Sequence, residues 1–255
     1  VQRQVNVPWQ DYLVTPDVVL IPLDTQVTTI TANAGIMQVH QSTVSTDADG
    51  SRKATLLFPA GTTATMVMAN GSTQPLTNLN VRASEYTVGA NGPMAMPGNL
   101  PATSGYTYAV EFSVDQALAA GANSVVFNQP VPTYVENFLN FPVGTVVPAG
   151  IYDRGKGTWV PSDDGRVVKI TGISGGLANV DSVGAESLPP VIFSNAELQQ
   201  LASLYSVGTE LWRVPTTHFS PIDYNWPFGF PPNAGPPKQP NPISDSSVDD
   251  RCKGS

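Results

Sequence analysis

Two stretches in the first half of the chain alternate apolar and polar residues with a period of two. Leu79, Val81 and Ala83 alternate with Asn80, Arg82 and Ser84, and Tyr106, Tyr108, Val110 and Phe112 alternate with Thr107, Ala109 and Glu111. Successive side chains of a strand point to opposite faces, so each stretch predicts a strand with one face for a core and one for water. Two antiparallel sheets packed face to face bury such faces. Further short β-prone runs lie at 18–23, 26–30, 36–40, 125–131, 133–136, 150–154, 158–160, 166–170 and 209–219, separated by turn residues. The expected fold is all-β: an antiparallel β-sandwich of one or two packed modules, with one short helix and an extended proline-rich tail.

That reading divides the chain into amino-terminal strands or an extra β layer over 1–45, a sandwich body over 46–220, and an aromatic then proline-rich tail over 221–255. Ser194-Asn-Ala-Glu197 reads as a capping box, with Leu198, Leu201, Ala202 and Tyr205 at helical spacing after it. Ser113-Val-Asp-Gln116 reads as a second box, opening a short turn that Gly121 ends. Gly155-Lys-Gly157 reads as the turn of a hairpin, and Tyr152 and Trp159 beside it as core or ledge residues.

Composition narrows the function classes. Charged residues make up only 13% of the chain while it holds 22 Gly and 24 Pro, the makeup of a turn-rich extracellular β protein. A net charge of −8 argues against nucleic acid, which demands clustered Lys and Arg. The single Cys252 forms no internal disulfide. The sequence carries no signal-peptide pattern and no apolar run of about 18 residues, so no membrane span is expected. Its ends read as those of a fragment of a longer exported protein.

Two catalytic or metal motifs are weighed and set aside. Thr46-Asp-Ala-Asp-Gly-Ser51 has two carboxylates before a glycine but lacks the distal glutamate of a calcium loop; it predicts a plain hairpin turn, and neither calcium nor another cofactor is predicted. Gly172-Ile-Ser-Gly-Gly176 fits the nucleophile-elbow pattern, with Asp181 and His218 following in order. The α/β context that motif needs is missing, so no serine hydrolase is expected. His40, with no second histidine nearby, reads as a solvated or core-edge residue.

The stretch His218-Phe219-Ser220 holds the remaining chemistry. The Ser220 hydroxyl can attack the preceding Phe219 carbonyl through a five-membered ring and turn that amide into an ester for water to cleave. A flat amide resists this, so the fold must twist the link and set a base beside the hydroxyl. On an extended path His218 and Ser220 share a face, and imidazole titrates near neutrality. The plain alternative is that both are polar residues at a strand end.

His-Phe-Ser resembles the self-cleavage signature of the nucleoporin autoproteolytic domain and of the β-rich domain shared by PIDD, netrin-receptor relatives and zona occludens proteins. Residues 55–68 and 125–131 resemble that domain's opening and later strands. Residues 83–89, 104–112, 151–154, 159–162 and 223–228 are similar to the region preceding the YD repeats of secreted bacterial Rhs-like and teneurin-like proteins. The resemblance implies a structural module, secreted or at the cell surface, that cleaves itself once with His218, Phe219 and Ser220 as the catalytic set and otherwise turns nothing over. Its implied partners are the rest of a larger parent chain or protein subunits. Tyr224, Trp226, Phe228 and Phe230, on alternate positions after the junction, form the candidate surface for such a partner. The alternative function is a non-catalytic adhesion or plug module that packs this aromatic tail on a partner domain.

Overall fold

A computed structural model describes residues 1–226 apart from 4, 6, 8, 10, 11, 16, 90, 91, 101–103, 186 and 187. Two antiparallel sheets make up the body. The six-stranded sheet runs, in spatial order, Thr28–Thr31, Asn78–Glu85, Ala109–Val114, Pro221–Asp223, Gly150–Asp153 and Thr158–Pro161. The nine-stranded sheet follows the path Val146–Val147, Gly165–Ser174, Glu210–Phe219, Ala122–Glu136, Ala54–Phe58 and Gln38–Gln41. Leu177–Asp181 flanks Gly165–Ser174, and Ala64–Met68, with Thr73–Leu76 beyond it, joins Ala122–Glu136. The all-β antiparallel sandwich is therefore present.

Three apolar layers hold it. Leu79, Val81 and Ala83 point inward with Tyr108, Val110 and Phe112, as their alternation requires, and meet Leu56, Val135, Trp212 and Phe219 from the other sheet. The outer faces are not left to water. Leu57, Tyr134, Val168, Ile170 and Leu211 on the back of the nine-stranded sheet are covered by Leu201 and Tyr205 of the helix Asn195–Leu204 and its end. On the back of the other sheet Ala109, Tyr152 and Trp159 pack with Tyr86, Met96 and part of the stretch around Val19 and Ile21.

Several local expectations are corrected here. Tyr106 precedes the strand and packs in the outer cluster instead of sharing the inward face of Tyr108. Ala109 is wholly buried, not on a watery face. Residues 18–23 form no strand, although Val19 and Ile21 add to the outer layer. Ser113 caps nothing: it still belongs to the strand Ala109–Val114, paired with Arg82, and the helix Asp115–Ala119 starts after Val114 with no side-chain cap. The Gln116 side chain instead accepts from Asn80 N at 3.0 Å.

Other motifs sit as read. Ser194 Oγ accepts from Glu197 N at 3.1 Å and opens the long helix, but only this half of the capping box forms, because the Glu197 carboxylate turns to Tyr134 and Arg213. Gly172–Gly176 lies in a hairpin between Gly165–Ser174 and Leu177–Asp181, with Gly175 and Gly176 at φ 59° and 79°. The stretch around Asp47 is a hairpin whose Asp47 carboxylate is taken by Arg52 at 2.7 Å. Strands from the first 45 residues pair into both sheets, and residues beyond 220 enter the core. The body therefore reaches past both of the boundaries drawn from sequence.

Candidate functional site

The strand Glu210–Phe219 lies in one sheet and Pro221–Asp223 in the other, so Ser220 alone carries the chain across the sandwich. Glu210–Phe219 is held on both sides, by Ala122–Glu136 and by Gly165–Ser174; Val125 pairs with Phe219 and Val126 with His218. Pro221–Asp223 is likewise central, between Ala109–Val114 and Gly150–Asp153. Pro221 has no N–H to give to a ladder, which suits the first position after such a crossing.

Phe219 is the anchor of the turn. It is 2% exposed, with ring centroids 4.7 Å from Phe127, 5.5 Å from Phe112 and 6.1 Å from Phe58. The Phe219–Ser220 bond is trans. Ser220 is buried, and its hydroxyl donates only to the Pro221 carbonyl at 3.4 Å, a long contact for O–H···O. No hydrogen bond joins it to His218. Since Phe219 faces the inner core, His218 one residue earlier on the strand faces the other side of its sheet. Burial lowers the His218 pKa and so favours the neutral ring. The structure thus brings Phe219 and Ser220 together and leaves the imidazole apart from the hydroxyl.

Ser220 lines a cavity of about 30 Å³ with Glu111, Ser113, Ser124, Asn123 and Arg154. The Ser113 hydroxyl is buried and has no hydrogen-bond partner. Glu111 is held by Tyr86 and, at 3.0 Å, by Arg154. Phe112, Val125 and Phe219 close its apolar side, and a space this size with several polar groups suits a water molecule. Sequence reading missed Ser113 and Glu111 here because they reach Ser220 only through the pairing of Pro221 with Glu111.

Downstream, Tyr224 and Trp226 are packed inside the same body. Tyr224 is fully buried, stacked on Tyr108 at 5.7 Å, and Trp226 stacks on Phe141 at 4.0 Å. Of the four alternating aromatics these two serve the chain's own core; Phe228 and Phe230 lie outside the described residues. Just before Tyr224, Asp223 is buried, and its carboxylate accepts from Asn225 Nδ2 at 3.1 Å. Burial raises the Asp223 pKa to about 6, and the Asn225 hydrogen bond opposes that rise. A Cβ at Gly150 would come 2.2 Å from Asp223 Oδ1, so any larger residue there would have to displace that buried carboxylate.

Among the described residues no group of three or more His, Cys, Asp or Glu side chains converges to hold a metal. No helix among them is long and apolar enough to cross a membrane. Comparison with protein-family models, curated proteins and solved structures gives no match.

Proposed function

We propose that the chain is a structural β-sandwich module of a larger secreted or cell-surface protein, of the kind that precedes YD repeats, with no turnover chemistry. The supporting observation is the use made of the junction. Phe219 fills the inner core, Ser220 passes the chain between sheets, and Tyr224 and Trp226 lock the exit. His218-Phe219-Ser220 then acts as a fold-determining corner, and the partner is the remainder of the parent chain. Intact mass of the denatured protein after prolonged incubation tests this: one species at 26.9 kDa is expected. Accumulation of pieces 1–219 and 220–255 would sink it.

A second reading, single self-cleavage, draws on one observation: the buried Ser220 follows the Phe219 carbonyl directly, with a water-sized, partly polar cavity beside it. In that reaction Oγ adds to the carbonyl carbon, the C–N bond breaks, and the freed nitrogen takes the proton. Water then hydrolyses the ester to the Phe219 carboxylate and the Ser220 hydroxyl. Both cut ends would stay paired, one in each sheet. Cleavage that Ser220→Ala abolishes would establish this reading.

A further inference from the structure

The strand Gly165–Ser174 carries a half-buried arginine with two buried nitrogens that lack partners. Arg166 Nε and Nη1 are both buried and make no hydrogen bond. A guanidinium is a cation with five N–H donors. Leaving such donors unpaired away from water is costly, so a native structure that does so points to a water or an ion at that place.

The neighbourhood sharpens the choice. Arg166 pairs directly with Arg213 on the next strand, which sets two cations on the same face, an arrangement that repels. Arg213 is compensated: its Nε donates to Glu197 Oε1 at 2.7 Å and its Nη2 to Glu197 Oε2 at 3.2 Å. Arg166 has no such carboxylate. Both arginines line a cavity of about 90 Å³ with Asp164, Gly165, Val191 and Pro215. Asp164 is the one acidic lining residue, but its Oδ1 accepts from Ala149 N at 3.2 Å and it forms no ion pair with Arg166.

We infer that this cavity is a binding site for one small oxoanion, held by the Arg166 guanidinium beside Arg213. Nε and Nη1 each share an edge of the guanidinium plane with Nη2. Either edge therefore offers the two-donor fork that carboxylate, phosphate and sulfate oxygens accept. The volume admits a single such group and excludes a nucleotide. The site lies on the outer face of the nine-stranded sheet, away from Ser220, and stands whether or not the chain cleaves itself.

Thermal unfolding of the full chain in sodium phosphate, sodium sulfate and sodium acetate, each against sodium chloride at equal ionic strength, tests it. The expected result is a saturable rise in Tm with at least one anion, about 3–5 °C at a tenfold excess over its Kd. Response to acetate alone identifies a carboxylate site; response to phosphate or sulfate identifies a tetrahedral oxoanion site. Arg166→Gln should abolish the rise, and Asp164→Asn should bring saturation at lower anion concentration. Nitrogen-15 NMR of the arginine Nε–H groups gives a second readout should Arg166→Gln fail to fold, since the anion should shift the Arg166 signal. Equal Tm values in all four salts, with that signal unmoved, would leave only water in the cavity and overturn the inference. So would an undiminished rise in Arg166→Gln.

Discussion

The Tyr224 hydroxyl lies 2.9 Å from Thr133 Oγ1, so a residue leaving one sheet is hydrogen-bonded to the middle of the other. Thr133 Oγ1 also lies 3.0 Å from the Val214 carbonyl, which places this contact at the strand pair that carries the junction. Removing only the Tyr224 hydroxyl leaves Thr133 with that other partner. Tyr224→Phe is therefore expected to cost about 1 kcal/mol, whereas Tyr224→Ala opens a cavity and should cost about 3–5 kcal/mol. Urea unfolding of the two variants checks both the order and the gap.

Glu197 and Arg213 join the long helix to the sheet beneath it. The Arg213 side chain is 12% exposed and the Glu197 side chain 4%, and the Tyr134 hydroxyl donates to the same carboxylate at 2.5 Å. Glu197→Ala leaves a buried guanidinium with no counter-charge and removes the acceptor from Tyr134. A loss of about 3–5 kcal/mol in denaturant unfolding is expected, more than for an exposed ion pair such as Lys156–Asp153.

His40 gives the fold an acid weakness. Burial lowers its pKa from 6.5 to about 4, against a smaller upward pull from Asp24, so the folded chain holds it neutral where the unfolded chain would protonate it. The stability this contributes is whole above pH 6.5 and is lost as pH falls through about 4. His40→Gln should flatten the loss across that window by at most about 3 kcal/mol. Unfolding midpoints taken from pH 7 to 4 on both proteins measure the difference.

Asp223 acts with the opposite sign. Its folded pKa is raised from 3.8 to about 6, so the contribution is full below 3.8 and is lost as pH rises through about 6. Near neutrality the buried carboxylate is a burden. Asp223→Asn should gain about 1–3 kcal/mol relative to the parent between pH 4 and pH 7. A gap between the two proteins that stays constant with pH would contradict this assignment.

The sandwich was legible in the chain because its strands obey a period of two: the inward set Leu79, Val81, Ala83, Tyr108, Val110 and Phe112 could be read from spacing alone. The covering of the outer faces could not, because Ala109 and Tyr134 meet their neighbours through distant segments that no local period reports. The same limit explains Ser113, whose local sequence favours a cap while its pairing with Arg82 keeps it in a strand. His218-Phe219-Ser220 stood out as a motif, yet the change of sheet at Ser220 depends on which strands lie alongside. Arg166 passed unnoticed in a valine-rich run because its opposite number, Arg213, lies 47 positions away by the numbering of the register.

The one-residue crossing at Ser220 also has a mechanical consequence. Whatever follows Trp226 is tethered to a strand in the middle of a sheet, not to an edge. Tension applied from that side meets the stacked rings of Trp226 and Tyr224, then two hydrogen-bonded ladders, before it reaches the backbone at Phe219. A tether of this kind resists pulling through the whole body, and severing the 219–220 link would transfer that load entirely to non-covalent contacts.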